Sequence, residues 1–142
     1  IPWDTKAAGL YMICTLSKHE AEKQGYTDSL MLDHEGFIAE ATGANIFFKD
    51  KDGTLHTPIP DSFLDGITRK CVIGIAKSKG FKIIERKIKP EEMSNFVGCF
   101  LTGTAAEITP VSQIDKYKFT VCEVIKSLSE SYINLVRKKV AA

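Results

Sequence analysis

Two segments within the first 60 residues have the pattern of strand, tight turn and strand that produces a β-hairpin. In the first, residues 29–32 predict a buried strand, and the turn at residues 33–36 leads into a second strand at residues 37–40. In the second, the turn at residues 49–53 divides residues 45–57 into two further strands. Short turns that contain aspartate and glycine favour antiparallel pairing of the strands they join. The chain is therefore restricted to folds that contain antiparallel pairs.

Helical and extended segments alternate along the rest of the chain. Apolar spacing predicts helices over residues 6–24, 66–79 and 121–140, with Gly80 ending the second, and a short helix that begins at Pro90. Further strands are predicted over residues 81–86, 99–102 and 109–114, the last one interrupted by Pro110. Helices inserted between hairpins indicate a mixed α and β (α+β) fold, a hairpin-rich mixed sheet flanked by helices, rather than a doubly wound sheet. At 142 residues the chain fits a single domain, residues 1–142.

The composition is that of an ordinary globular protein and argues against several classes of function. A formal net charge of +1 gives no electrostatic basis for binding nucleic acid or an anionic membrane. No apolar run approaches the ~20 residues that a membrane span needs. Cys14, Cys71, Cys99 and Cys122 are far apart and form no C-x-x-C pair. We therefore expect reduced cysteines that serve in packing, no metal site, no membrane partner and a cytoplasmic protein.

Two turns rich in small residues could bind an anion. Gly66-Ile67-Thr68 lies where a loop enters a predicted helix, so its backbone N–H groups and the positive end of the helix dipole suit a phosphate. The turn at residues 103–106 follows a predicted strand and can form an anion-binding nest. Taken singly, each such turn is more often a tight connection closed by glycine.

Three longer runs are far more specific than either turn. Residues 32–47 (LDHEGFIAEATGANIF), 63–69 (FLDGITR) and 101–111 (LTGTAAEITPV) occur in this order, after a lysine segment that begins at Lys6. In order and spacing they resemble the signatures of the fold-type IV aminotransferases, which are pyridoxal-phosphate enzymes. The last run resembles the bacterial branched-chain aminotransferases in particular. The resemblance is weakest after Ile114, and it implies the larger C-terminal domain of the D-amino-acid aminotransferase-like fold.

The resemblance gives roles to residues that their own pattern would not single out. On pattern alone, Lys6 is a solvated lysine, Glu40 an acid at a strand end and Tyr11 a packing aromatic. By resemblance, Lys6 is the catalytic lysine, which bonds to the cofactor aldehyde and moves the substrate Cα proton. Both tasks require an amine that is partly deprotonated at working pH. Glu40 would pair with the pyridine nitrogen of the cofactor, and Tyr11 would hydrogen-bond its ring oxygen.

The same resemblance implies the remaining contacts. They are Leu64, Gly66, Ile67, Thr68 and Thr104 for the cofactor, and Gly103, Ala105 and Ala106 for the substrate. Among the cofactor contacts, the leucine would pack on the ring face, and the isoleucine and the two threonines would hold the phosphate. The two alanines would offer backbone N–H groups to the substrate carboxylate.

The implied activity is pyridoxal-phosphate-dependent transamination between a branched-chain amino acid and 2-oxoglutarate. A D-amino-acid aminotransferase, an aminodeoxychorismate lyase and a non-catalytic fragment are the alternatives. Family enzymes carry a smaller N-terminal domain that supplies an arginine to the phosphate and most of the side-chain pocket, and none of that precedes Lys6 here. We therefore expect the C-terminal part of such an enzyme, with the small domain absent, needing that domain for activity and self-associating, as a homodimer for example.

Overall fold

The structure is a computed structural model, and it describes residues 23, 29–41, 44–60, 66–103, 107–120 and 123–141. Strands outnumber helices in this part of the chain. The strands are β1 (Leu30–Leu32), β2 (Ile38–Ala41), β3 (Asn45–Asp50), β4 (Leu55–Thr57), β5 (Ile83–Glu85), β6 (Phe96–Gly103), β7 (Glu107–Pro110), β8 (Gln113–Ile114) and β9 (Tyr117–Lys118). The helices are α1 (Ile67–Ser78), a 3-10 helix (Pro90–Asn95) and α2 (Glu123–Ala141). The main sheet has the order β5-β4-β3-β6-β7, beside the two-stranded sheets β1-β2 and β8-β9. The mixed α and β fold predicted from the sequence is confirmed.

The first predicted hairpin is present as a small sheet of its own. Strands β1 and β2 pair antiparallel, with Met31 opposite Glu40. Leu30 packs against the core, whereas Leu32 is 49% exposed. The prediction of a buried first strand is therefore wrong. A two-stranded sheet leaves each strand without a neighbour on one side, so an apolar run is not enough to bury it.

The second predicted hairpin is also present, but it is part of the main sheet. Strand β3 pairs antiparallel with β4 on one side, where Phe48 lies opposite His56, and with β6 on the other. Strand β4 then pairs parallel with β5, with Leu55 opposite Ile83. This parallel pair was not predicted. It forms because α1, between the two strands in sequence, carries the chain back so that both run in the same direction.

Apolar side chains pack on both faces of the main sheet. The helix-side core, which includes residues of α1 and α2, consists of Phe47, Leu55, Val72, Ala76, Phe100, Ile108, Ile125 and Leu128. The hairpin-side core, which includes a residue of β2, consists of Ile38, Ile46, Phe48, Ile88, Met93, Phe96, Cys99 and Phe119. Strand β3 contributes to both cores because successive side chains of a strand point to opposite faces. Its position is therefore fixed more firmly than that of the first hairpin.

Two predicted helices are found close to their predicted bounds. Helix α1 ends at Ser78, and Gly80 beyond it has a φ of +85°, which glycine adopts at little cost. Helix α2 buries Ile125 and Leu128 against the sheet, on the face that the apolar spacing indicated. The short helix at Pro90 is a 3-10 helix. Of the helix predicted over residues 6–24, the structure describes only Lys23, which is helical.

The strands of the C-terminal third differ in their bounds from the prediction. The strand predicted over residues 99–102 is the longer β6, and the one predicted over residues 109–114 is divided into β7 and β8. Strand β7 ends at Pro110, which has no N–H group to continue a ladder. Strand β9, which pairs with β8, was not predicted. Within the described residues, no helix combines the length and the apolar character that crossing a membrane requires.

Candidate functional site

The predicted Gly66 and Gly103 turns both lie beside the first residue of β3. The amide Oδ1 of Asn45 accepts a hydrogen bond from the N–H group of Gly66, with an N···O distance of 3.2 Å. In the main sheet Asn45 lies opposite Thr102, the residue directly before Gly103. Side chains opposite each other in an antiparallel pair lie on the same face of the sheet. One cross-strand pair, Asn45 and Thr102, therefore connects the two turns.

Glu40 lies on the strand that leads to the same end of β3. The next residue, Ala41, forms an isolated β-bridge with Ala44, which directly precedes β3. Burial of the Glu40 carboxyl raises its pKa from 4.5 to about 7, and no hydrogen bond or charge of a described residue offsets that effect. A carboxyl in this environment is stabilised in its charged form by a cationic or N–H partner. Glu40 is therefore suited to a ligand that presents a protonated nitrogen.

The start of α1 is open to a negatively charged ligand. Gly66 caps the helix without a side-chain hydrogen bond, and the first turn contains no acidic residue. The first backbone N–H groups of an α-helix have no acceptor within the helix, and the dipole makes this end positive. Ile67 is 87% exposed, so its side chain points away from the core. These features suit a phosphate group.

Two buried side chains hold the first turn of α1 against the rest of the domain. Thr68 is buried, and its hydroxyl lies 3.4 Å from the hydroxyl of Tyr132 on α2. Arg69 is 1% exposed, and its Nη2 donates to the Pro58 carbonyl (3.0 Å) and to Glu85 Oε1 (2.7 Å). Hydrogen bonds that join a cation to a carboxylate are stronger than neutral ones. The open end of α1 is thus fixed on its inner side.

The structure describes only some of the predicted site residues. Glu40, Gly66, Ile67, Thr68 and Gly103 are described. Among them, Gly66 is hydrogen-bonded to Asn45, and Gly103 directly follows the residue opposite Asn45 in the sheet. The remaining six lie outside the described residues: Lys6, Tyr11, Leu64, Thr104, Ala105 and Ala106. Their roles stay predictions. In the described part of the chain, no group of three or more His, Cys, Asp or Glu side chains could hold a metal ion.

Three polar residues beside the site were not singled out from the sequence. They are Asn45, which occurs only as part of a quoted run, Thr102 and Tyr132. Asparagine is disfavoured in strands, so an asparagine directly before the apolar residues 46–48 was a usable signal. Tyr132 gave no such signal, because an aromatic residue on the apolar face of a helix is ordinary core.

Comparison with known proteins identifies the family. Residues 3–114 match the family described as amino-transferase class IV. The chain is 46% identical over 140 residues to the probable branched-chain-amino-acid aminotransferase of Rickettsia typhi, a match that covers 96% of this chain and 48% of that protein. The chain thus spans about half the length of the curated relatives it matches.

Solved structures of related enzymes agree with this assignment. The branched-chain aminotransferase of Thermoproteus uzoniensis with norvaline superimposes with a TM-score of 0.91 at 37% identity, over 96% of this chain and 46% of that one. The branched-chain amino acid aminotransferase of Thermobaculum terrenum in its PLP-form, the holo-form, gives 0.91 at 35% identity, over 96% and 46%. With its predicted motifs, its fold and its relatives in agreement, the chain belongs to the class IV aminotransferase family.

Proposed function

We propose that this chain forms the part of a branched-chain-amino-acid aminotransferase that binds pyridoxal 5'-phosphate and exchanges an amino group between leucine, isoleucine or valine and 2-oxoglutarate. The observation that carries the proposal is the meeting of three sequence motifs around Asn45. The start of α1 is hydrogen-bonded to Asn45, and the end of β6 lies opposite it. The strand with Glu40 leads to Ala44, the residue directly before Asn45. The relatives' names support the choice of substrate.

The described residues fit the chemical features of this cofactor. When bound, pyridoxal phosphate supplies a protonated ring that stabilises negative charge on the substrate Cα. The Glu40 carboxyl can face the ring nitrogen, where it would hold the proton on that atom. The N–H groups at the start of α1 can face the phosphate. A Cβ atom on Gly66 would come within 2.6 Å of Asn45 Oδ1, so the glycine lets this turn lie directly against Asn45.

The remaining roles belong to residues outside the described part of the chain. Lys6 Nζ would take the proton from the substrate Cα, for which its amine must be neutral when the substrate is bound. Tyr11 would hold the ring oxygen, Leu64 would cover one ring face, and Thr104 would complete the phosphate contacts. The backbone N–H groups of the turn that follows Gly103 would orient the substrate carboxylate.

Cofactor binding is the first test, because it depends on residues of this chain. Pyridoxal phosphate is titrated into the chain, and absorption in the near-visible range reports its covalent attachment. We expect the band to disappear in Lys6→Ala and to persist in Lys23→Ala, a matched exposed lysine. A band that survives Lys6→Ala would remove this lysine from the mechanism.

Turnover then reports the substrate. The loaded chain, alone and mixed with the N-terminal half of a branched-chain relative, is given leucine, isoleucine, valine and D-alanine with 2-oxoglutarate. We expect turnover of the three branched amino acids in the mixture. Turnover of D-alanine in their place, or pyruvate release from aminodeoxychorismate, would assign a different member of the family.

We also propose that the chain self-associates, as a homodimer for example, and that it works in the cytoplasm. Exposed apolar side chains support self-association: Leu32 is 49%, Ile59 39% and Ile67 87% exposed. The two described cysteines, Cys71 and Cys99, are free thiols, as is usual in a reducing compartment. Sedimentation across concentrations tests the first proposal, which a monomer at every concentration contradicts. Cell fractionation tests the second, and recovery of the protein outside the cytoplasm contradicts it.

A further inference from the structure

Asn45 connects two turns that come from distant parts of the sequence. It is 5% exposed and begins the central strand β3. Its Oδ1 holds the N–H group of Gly66, 21 residues further along the chain. Across the sheet it faces Thr102, which is fully buried and leads into the Gly103 turn. A single side chain therefore contacts the start of α1 and lies beside the end of β6.

The contact between Asn45 and Gly66 is closely fitted on both sides. The hydrogen bond fixes the residue that caps α1, and hence the direction in which the first N–H groups of the helix point. A Cβ atom on Gly66 would lie 2.6 Å from Asn45 Oδ1, closer than such atoms approach. The neutral amide of Asn45 makes this contact without a negative charge, whereas a carboxylate in its place would repel a phosphate bound at the start of the helix. Both residue types therefore follow from the same contact.

Thr102 provides a second polar group at this end of the sheet. Its Oγ1 is buried and has no hydrogen-bond partner among the described residues. A buried polar group of this kind normally has a partner. Because Thr102 lies opposite Asn45, this hydroxyl lies on the same face as the amide that holds Gly66.

We propose that Asn45 is a positioning residue for the phosphate of the cofactor. It fixes the start of α1 relative to the end of β6 at Thr102, so that the first N–H groups of the helix face the phosphate. The inference rests on the proposed function. Asn45 acts through Gly66 and the helix start, so its effect is specific to ligands that carry the phosphate.

A pair of ligands separates this role from a general one. Pyridoxal 5'-phosphate and pyridoxal share the ring and the aldehyde, and only the first has the phosphate. Dissociation constants for both are measured by absorption titration of the 142-residue chain. In Asn45→Ala we expect the affinity for pyridoxal phosphate to fall on the order of tenfold, the effect of losing one buried orienting hydrogen bond. The affinity for pyridoxal should change by less than about twofold, because pyridoxal lacks the phosphate and sites that share no contact are coupled only weakly.

Two further variants keep the test decisive if Asn45→Ala folds poorly. Gly66→Ala leaves Asn45 intact but disturbs the same contact, so it should show the same selective loss. The matched control is Thr57→Val, which removes a buried hydrogen bond of 2.8 Å from the Thr57 hydroxyl to the Ile46 carbonyl in the same sheet. We expect Thr57→Val to lose stability in urea unfolding while both dissociation constants stay unchanged.

The possible results assign failure to one idea or the other. If Asn45→Ala and Gly66→Ala weaken both ligands equally, or neither, the positioning role is wrong. If Thr57→Val shows the same selective loss, the effect is one of general stability and the inference also fails. If the wild-type chain binds both ligands with equal affinity, there is no phosphate site at all, and the proposed function fails before the role of Asn45 arises.

Discussion

The two hairpins of this chain share a turn of the same design but differ in what surrounds them. In the first, Asp33 Oδ1 accepts the N–H groups two and four residues ahead, at 2.9 and 3.0 Å. In the second, Asp50 Oδ1 does the same at 2.9 and 3.0 Å. Gly36 and Gly53 have φ values of +88° and +87°. The turn is therefore set by local chemistry, an aspartate with a glycine three residues later.

The strands on either side of these turns have different numbers of neighbours. The first hairpin is a two-stranded sheet, whereas β3 of the second lies between β4 and β6. The first four residues of β3 are buried, and β1 contains no buried residue. Equal turns thus lead to strands of unequal burial, because burial depends on strands that arrive from far along the chain. The less supported hairpin carries Glu40, the acid that we propose faces the cofactor ring.

The largest expected difference between the hairpins is in core truncation. Phe48 is fully buried, and its ring stacks on Phe96 at 4.9 Å. We expect Phe48→Ala to lower the free energy of unfolding by about 3–5 kcal/mol, the usual cost of a large aromatic in a core. Leu32→Ala in the first hairpin should cost at most about 0.5 kcal/mol, because Leu32 is 49% exposed. Urea unfolding measures both, and equal losses would show that the hairpins have equal support.

A second test concerns the acid that the first hairpin carries. Burial raises the pKa of Glu40 to about 7 from 4.5, so the folded chain binds more protons than the unfolded chain between these values. Stability is therefore complete below pH 4.5 and falls as the pH rises through 7. We expect Glu40→Gln to increase the free energy of unfolding at pH 8 by up to about 3 kcal/mol, with no gain near pH 4. The same variant should bind pyridoxal phosphate more weakly.

The matched control for that test is Glu35→Gln, in the exposed turn of the same hairpin. It should give no such gain at pH 8. A Glu40→Gln profile that runs parallel to that of the wild-type chain from pH 4 to pH 8 would show that the carboxyl is not buried. Tight cofactor binding by Glu40→Gln would show instead that the acid does not face the ring nitrogen.

The parts of the fold that sequence predicts are those with local causes. Residues within a few positions of one another determine both turns, the end of α1 two residues before Gly80 and the apolar face of α2. The parallel pairing of β4 with β5 does not, because it depends on how α1 crosses the sheet. The exposure of Leu32 was missed for a related reason. An apolar run does not reveal how many strands will lie beside it.

The site divides in the same way. The motifs around Glu40, Gly66 and Gly103 could be found from the sequence because their resemblance to a family is local. The contacts that hold them together are not local: Asn45 reaches Gly66 across 21 positions and Thr68 reaches Tyr132 across 64. No single window of sequence contains both partners of either contact. Only the folded chain shows that one asparagine joins two of the three motifs.

The smallest expected effect compares the two aspartates that set the turns. Both use Oδ1 for the turn, but Asp50 Oδ2 also meets His56 Nε2 at 2.8 Å. Arg86 Nε can only donate, so at 3.2 Å it makes His56 Nδ1 an acceptor and leaves the ring proton on Nε2, facing Asp50. If the Oδ1 of Asn in Asp50→Asn keeps the turn, its amide NH2 group faces the N–H group of His56, so that two donors meet. Among the described residues, Asp33→Asn has no such second contact to lose. We expect a loss of about 1 kcal/mol for Asp50→Asn at pH 7 and almost none for Asp33→Asn.

Acidification should remove this difference. Burial alone would raise the pKa of Asp50, but hydrogen bonds from His56 and from the N–H groups of Thr54 and Asp52 outweigh it and hold the pKa below 3.8. A lowered pKa stabilises the folded chain above pH 3.8, and that contribution is lost as the pH falls through the value in the folded chain. The free energies of unfolding of the wild-type and Asp50→Asn chains should therefore converge once the pH falls below the pKa that Asp50 has in the folded chain. A difference that persists in acid would show that the negative charge of Asp50 does not account for the loss in Asp50→Asn.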